Sequence, residues 1–80
     1  MRVRVRYFGQ FKDLTGLEEE FLELPEGCTV AEARELVKQR HPRLASKEQI
    51  LVALNGSFGD LGDEVREGDE LAFFPPVSGG

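Results

Sequence analysis

The last eight residues, FFPPVSGG at 73–80, bring together a narrow chain end, two prolines and a bare carboxylate. Pro75 and Pro76 fix φ at about −65° and favour polyproline II, so this segment is expected to leave the body extended rather than fold back. At roughly 3.3 Å per residue, Pro75, Pro76, Val77, Ser78, Gly79 and Gly80 reach about 20 Å beyond Phe74. Gly79 and Gly80 carry no Cβ, so the end is only as wide as a backbone and accepts whatever φ/ψ a slot in another protein demands. The Gly80 carboxyl, a carboxylate at neutral pH, is a poor electrophile but a serviceable nucleophile toward the α-phosphate of ATP. The acyl-adenylate so formed is open to a sulfur donor or an amine. The sequence contains neither a phosphate-binding loop nor a metal-ligand motif. It therefore predicts no stably bound cofactor and no catalysis by this chain alone. An activating partner must supply and consume the ATP, and must bring the magnesium and the catalytic groups.

The rest of the chain has to hold that end out. Its 80 residues allow one domain. A net charge of −5 excludes the clustered positive charge that phosphate-backbone binding needs, so no nucleic-acid partner is expected. A single cysteine permits no internal disulfide and fits a reducing cytoplasm. The basic opening, MRVRVRYFGQ, lacks the apolar stretch of a signal peptide, and no run approaches the roughly 20 apolar residues of a membrane span, so no membrane is expected.

Residues 2–8, RVRVRYF, alternate: Val3, Val5 and Tyr7 face one way, Arg2, Arg4, Arg6 and Phe8 the other. This is the period of a half-buried strand. A helical turn is expected over 9–15, with Phe11 and Leu14 on one side and Gly16 as its stop. Residues 18–24, EEEFLEL, read as a second strand whose glutamates could pair with the arginines of the first. Thr29 followed by Glu32 makes a capping box, which opens a helix from Val30 to about Arg40 with Val30, Ala33, Leu36 and Val37 on one stripe. His41-Pro42 should stop it.

Residues 50–54, ILVAL, are apolar throughout, as in a strand covered on both faces or one whose outer face meets a partner. Asn55-Gly56 is a tight-turn signal, Phe58 and Leu61 lie in a short return strand, and 70–74, ELAFF, is the last strand, ended by Pro75. One helix among so few strands must lie across one face of a mixed sheet. With the first and last strands central and parallel, the expected fold is α+β, a ubiquitin-like β-grasp over 1–74, with 75–80 as a flexible extended tail. A ferredoxin-like fold would need a second helix.

At this point the residues resemble a known family. EGDELAFFPPVSGG, the FGQFKDLTG segment, the TVAEARELV helix and the LN pair before the return segment are similar to the small, sulfur-carrier subunit of molybdopterin synthase, along the whole chain. The FFPPVSGG ending is the specific part. The resemblance implies that an E1-like enzyme adenylates Gly80 and that sulfur from a donor protein converts it to a thiocarboxylate. The tail then enters the large subunit of the synthase, in a heterotetramer of two small and two large subunits, and gives its sulfur toward the dithiolene of molybdopterin. It also implies that Phe58, Phe74 and a basic Lys12 meet the partner. Alternation independently sets Phe74 out of phase with Leu71 and Phe73, which it assigns to the core.

Other functions remain open on the sequence. The same carrier chemistry serves thiamine, tRNA thiolation or cysteine synthesis. Gly80 could be conjugated to lysines, making the chain a protein modifier, or the chain could be an interaction module with an inert tail. Phe74 alone could merely cap a sheet edge. Cys28, just ahead of a helix, reads as a small, partly buried spacer rather than a sulfur handler. His41 carries no sign of catalysis, Arg2, Arg4 and Arg6 read as a solvated strand face, and Glu18 to Glu20 read as solubilising charge.

Overall fold

The computed structural model describes residues 1–76. In chain order its elements are β1 (Arg2–Tyr7), α1 (Gln10–Thr15), β2 (Glu19–Glu23), α2 (Val30–Arg40), α3 (Pro42–Ala45), β3 (Leu51–Leu54) and β4 (Glu70–Phe74). The strands form one mixed sheet in the order β2-β1-β4-β3. β1 and β4 run parallel at its centre, and β2 and β3 flank them antiparallel. This is the expected β-grasp arrangement.

The alternation of β1 decides which face is inner. Val3, Val5 and Tyr7 are buried, as are their neighbours Leu71 and Phe73 on β4. Val30, Ala33 and Val37 of α2 close the same core, together with Phe11 of α1 and Leu44 of α3. Local chemistry sets the element ends. The Thr29 hydroxyl accepts from the Glu32 N–H at 3.2 Å while Glu32 accepts from the Thr29 N–H at 3.0 Å, the reciprocal capping box. Gly16 closes α1 in the left-handed region. Asn55 and Gly56, at φ 49° and 83°, turn the chain back so that Leu54 and Ser57 exchange both backbone hydrogen bonds.

Four expectations change. His41 does end α2, but Pro42 also begins α3, because proline suits the first helical position as well as it breaks an interior one. The return strand does not form: between Ser57 and Val65 only isolated bridges are present, Leu54 to Ser57 and Thr29 to Glu64. The segment's carbonyls are engaged elsewhere. Leu61 and Asp63 accept the N–H groups of Ala31 and Val30, which the first turn of a helix leaves without internal partners. Leu36 lies 37% exposed rather than in the core stripe. β3 is an edge strand, with Val52 and Ala53 buried and Leu51 exposed.

Candidate functional site

The outer sheet face ends in aromatic residues. Phe8 and Phe74 point outward from the neighbouring ends of β1 and β4, and their rings stack with centroids 4.6 Å apart. Phe58, 66% exposed in the return segment, tilts onto Phe74 at 5.7 Å. Leu51 is the registered partner of Phe74 across β3 and β4 and is itself exposed. The structure thus brings together Phe58 and Phe74 and adds Phe8 and Leu51 to them. Both additions had a sequence signal. Alternation placed Phe8 outward, and Leu51 belongs to the run that was apolar at every position. The strand register that makes them neighbours was not legible. Contiguous exposed apolar side chains rimmed by charge are the usual mark of a docking surface.

The rim is cationic on the β1 side. The Arg6 guanidinium lies 5.0 Å over the Phe8 ring. Lys12 shares a shallow hollow with Arg6, Phe8, Glu18 and Glu19, its Nζ 4.0 Å from Glu18. Lys12 therefore sits beside Phe8 rather than within the aromatic group. Arg4 donates to Glu19 at 2.6 Å, and both Arg4 and Arg6 approach Glu70 at 3.6 Å. The Arg4–Glu19 hydrogen bond holds the glutamate below its ordinary value and the arginine above its own.

The tail leaves next to these rings. Pro75 and Pro76 follow Phe74 outside any strand. Val77, Ser78, Gly79 and Gly80, to which the sequence assigns the cargo and its insertion, lie outside the described residues.

Glu20 corrects the sequence reading. It is not a solubilising charge: its side chain is 9% exposed and accepts from the Tyr7 hydroxyl at 2.6 Å, from Arg40 Nε at 2.8 Å and from His41 Nε2. Burial pushes its carboxyl up, but the three hydrogen bonds outweigh that and leave it below the ordinary carboxylate value. An ionised carboxylate has no proton to give, so His41 donates through Nε2. The same burial and the bond to Glu20 push the Tyr7 phenol far up. This cluster ties β1, β2 and the end of α2 together, on the sheet face opposite the aromatic one. Cys28 is buried, and burial followed by the nearby Glu32 pushes its thiol up, the reverse of activation. Among the described residues no group of His, Cys, Asp and Glu is arranged to hold a metal ion, and no helix is long and apolar enough to cross a membrane.

A ubiquitin-like β-grasp body that presents an aromatic docking surface at the root of a narrow chain end is the architecture of a carrier. The model of the ThiS family matches residues 5–80. The chain is 38% identical to the molybdopterin synthase sulfur carrier subunit of Haemophilus influenzae, covering 98% of this chain and 99% of that one. It is 34% identical to the human protein of the same name, covering 99% and 94%. Small archaeal modifier protein 1 of Haloferax volcanii is 32% identical over 94% of this chain and 97% of its own. Among solved structures, a molybdopterin converting factor subunit 1 from Pyrococcus furiosus superposes with a TM-score of 0.90 at 34% identity, covering 96% of this chain and 99% of that one. The subunit 1 and 2 complex of the molybdopterin-converting factor from Helicobacter pylori contains a chain that matches with a TM-score of 0.71 at 27% identity, with full coverage of both. The chain belongs to the ThiS family, and the relatives that it matches from end to end include sulfur carrier subunits of molybdopterin synthase.

Proposed function

We propose that this chain carries sulfur for the assembly of molybdopterin. An E1-like enzyme adenylates the Gly80 carboxyl with ATP, releasing pyrophosphate. A persulfide-bearing donor protein then replaces AMP, leaving a thiocarboxylate on Gly80. The globular body docks on the large synthase subunit through Phe58, Phe74, Phe8 and Leu51, with Lys12 at the rim, while 75–80 enters the partner's active site. There the thiocarboxylate attacks the pterin precursor, and hydrolysis of the resulting thioester leaves sulfur on the pterin and returns the carboxylate. Two such deliveries complete the dithiolene, in an assembly of two small and two large subunits in the cytoplasm. The ATP belongs to the activating partner, and no cofactor stays on this chain.

The observation that carries this reading is the placement of the stacked Phe8–Phe74 pair and Phe58 at the root of the tail. The grip and the cargo end are thereby joined by only a few residues. The end-to-end likeness to sulfur carrier subunits supports the choice of pathway. A reconstitution with the large subunit and the pterin precursor tests it. The thiocarboxylated chain should yield the dithiolene, and failure to transfer sulfur to the pterin would contradict it.

A second reading, conjugation of Gly80 to lysines, is favoured by the likeness to small archaeal modifier protein 1. The same acyl-adenylate serves both fates. Isopeptide-linked adducts in lysate, absent when Gly80 is deleted, would establish it.

A further inference from the structure

We propose that Gly9 is a positioning residue whose bare Cα seats Pro75 and so sets the direction in which the tail leaves the body. This rests on the carrier function proposed above and assigns a role to a residue far from the tail in sequence. The parallel β1–β4 ladder runs out at this point. Its last hydrogen bond is from the Phe8 N–H to the Phe73 carbonyl at 3.0 Å, and the next rung cannot form because Pro75 has no N–H to offer. The Gly9 carbonyl turns away and accepts from Lys12 at 3.1 Å. What holds the proline is contact. A Cβ on Gly9 would meet Pro75 Cγ at 3.2 Å and Cδ at 3.5 Å, so the ring occupies the space that any side chain would claim. Gly9 also stands at φ 58° and ψ −138°, a conformation open almost only to glycine. One step further along, Pro76 lines a shallow trough with Gln10 and Phe11 on one side and residues 46–49 on the other.

With φ of both prolines fixed by their rings and the first ring seated on the body, few torsions remain to swing the tail at its root. A side chain at position 9 has to push the proline off this seat and re-aim everything beyond it. The body keeps its aromatic docking surface, but the reacting end arrives misplaced. A misplacement of about 1 Å at a reacting group can cost roughly a hundredfold in rate.

The test uses the full chain, an E1-like activating enzyme and ATP–pyrophosphate exchange, with the binding of carrier to enzyme measured separately by calorimetry. Gly9→Leu is expected to lower kcat for exchange at least roughly tenfold while Kd for the enzyme stays within about threefold. Gly9→Ala, with a smaller group and a smaller folding cost, should show the same split to a lesser degree, which keeps the test informative if the leucine variant fails to fold. Equal kcat for a folded variant and the parent overturns this inference alone. Loss of Kd in parallel with kcat also overturns it, since the residue would then be merely structural. Absence of exchange with the parent chain overturns the carrier function itself, and this inference with it.

Discussion

Phe8 and Phe74 stack nearly face to face, 4.6 Å apart with their planes 11° from parallel, at the end of the parallel strand pair from which the tail departs. Neither ring is needed to fill the core, which Tyr7 and Phe73 close from the opposite face. Two large rings held outside the core by each other, with Phe58 against one of them, are a pre-formed anchor.

Truncating that anchor should therefore weaken binding more than folding. Phe74→Ala and Phe58→Ala are each expected to cost about 1–3 kcal/mol of affinity for the large synthase subunit, read by calorimetry. Phe58→Ala should change folding stability by less than about 0.5 kcal/mol, because the side chain is mostly exposed. An unchanged Kd for both variants would remove the aromatic face from the partner interface.

The glutamates of β2 should differ sharply although they are adjacent in sequence. Glu20→Ala leaves the Tyr7 hydroxyl and His41 without their acceptor in a largely buried place and is expected to cost about 1–3 kcal/mol in urea unfolding. Glu19→Ala removes a surface pair with Arg4 and should cost less than about 1 kcal/mol. Equal costs would mean that the Glu20 cluster adds nothing beyond a surface ion pair.

The same cluster gives a pH dependence with a definite sign. Glu20 has a folded-state pKa below its ordinary value of 4.5, so its proton binds more weakly to the folded chain than to the unfolded one. Its contribution to stability is fully present above that ordinary value and is lost as pH falls through the lower, folded-state value. Urea midpoints of the parent chain should fall on acidification below about pH 4.5, and Glu20→Gln should flatten part of that fall. A midpoint as steep in Glu20→Gln as in the parent would place the acid sensitivity elsewhere.

Cys28 should be chemically quiet. It is 3% exposed and its thiol is pushed up, so alkylation at neutral pH is expected to be slow in the folded chain and fast in urea. Cys28→Ala should still load sulfur onto Gly80. Loss of loading in a folded Cys28→Ala variant would give the cysteine a role in sulfur handling that its burial argues against.

Much of this architecture was legible in the sequence because local rules and tertiary packing agree there. The alternation of β1, the Thr29–Glu32 box and the Asn55-Gly56 turn each specify one local geometry, and each is present. Phe74 outside the core and Phe73 within it followed from period alone. What local rules missed was set by distant partners. Pro42 ends one helix and begins another, and only the packing of Leu44 into the core decides that the second turn forms. Residues between Ser57 and Val65 carry a strand-like signal, yet their carbonyls are claimed by the first turn of α2. Glu20 looked like its neighbours Glu18 and Glu19, since nothing in the sequence brings Tyr7, Arg40 and His41 to one side of β2. The contact of Gly9 with Pro75 spans nearly the whole chain and has no local sign beyond the glycine itself.

The central claim, that Gly80 is the group that carries sulfur, is tested most directly by the mass of the intact chain after reaction with ATP, an E1-like enzyme and a sulfur donor. The account predicts that one oxygen is exchanged for one sulfur, located in the C-terminal peptide and absent when an alanine is added beyond Gly80. An unchanged terminal carboxylate in the presence of all three components would contradict it.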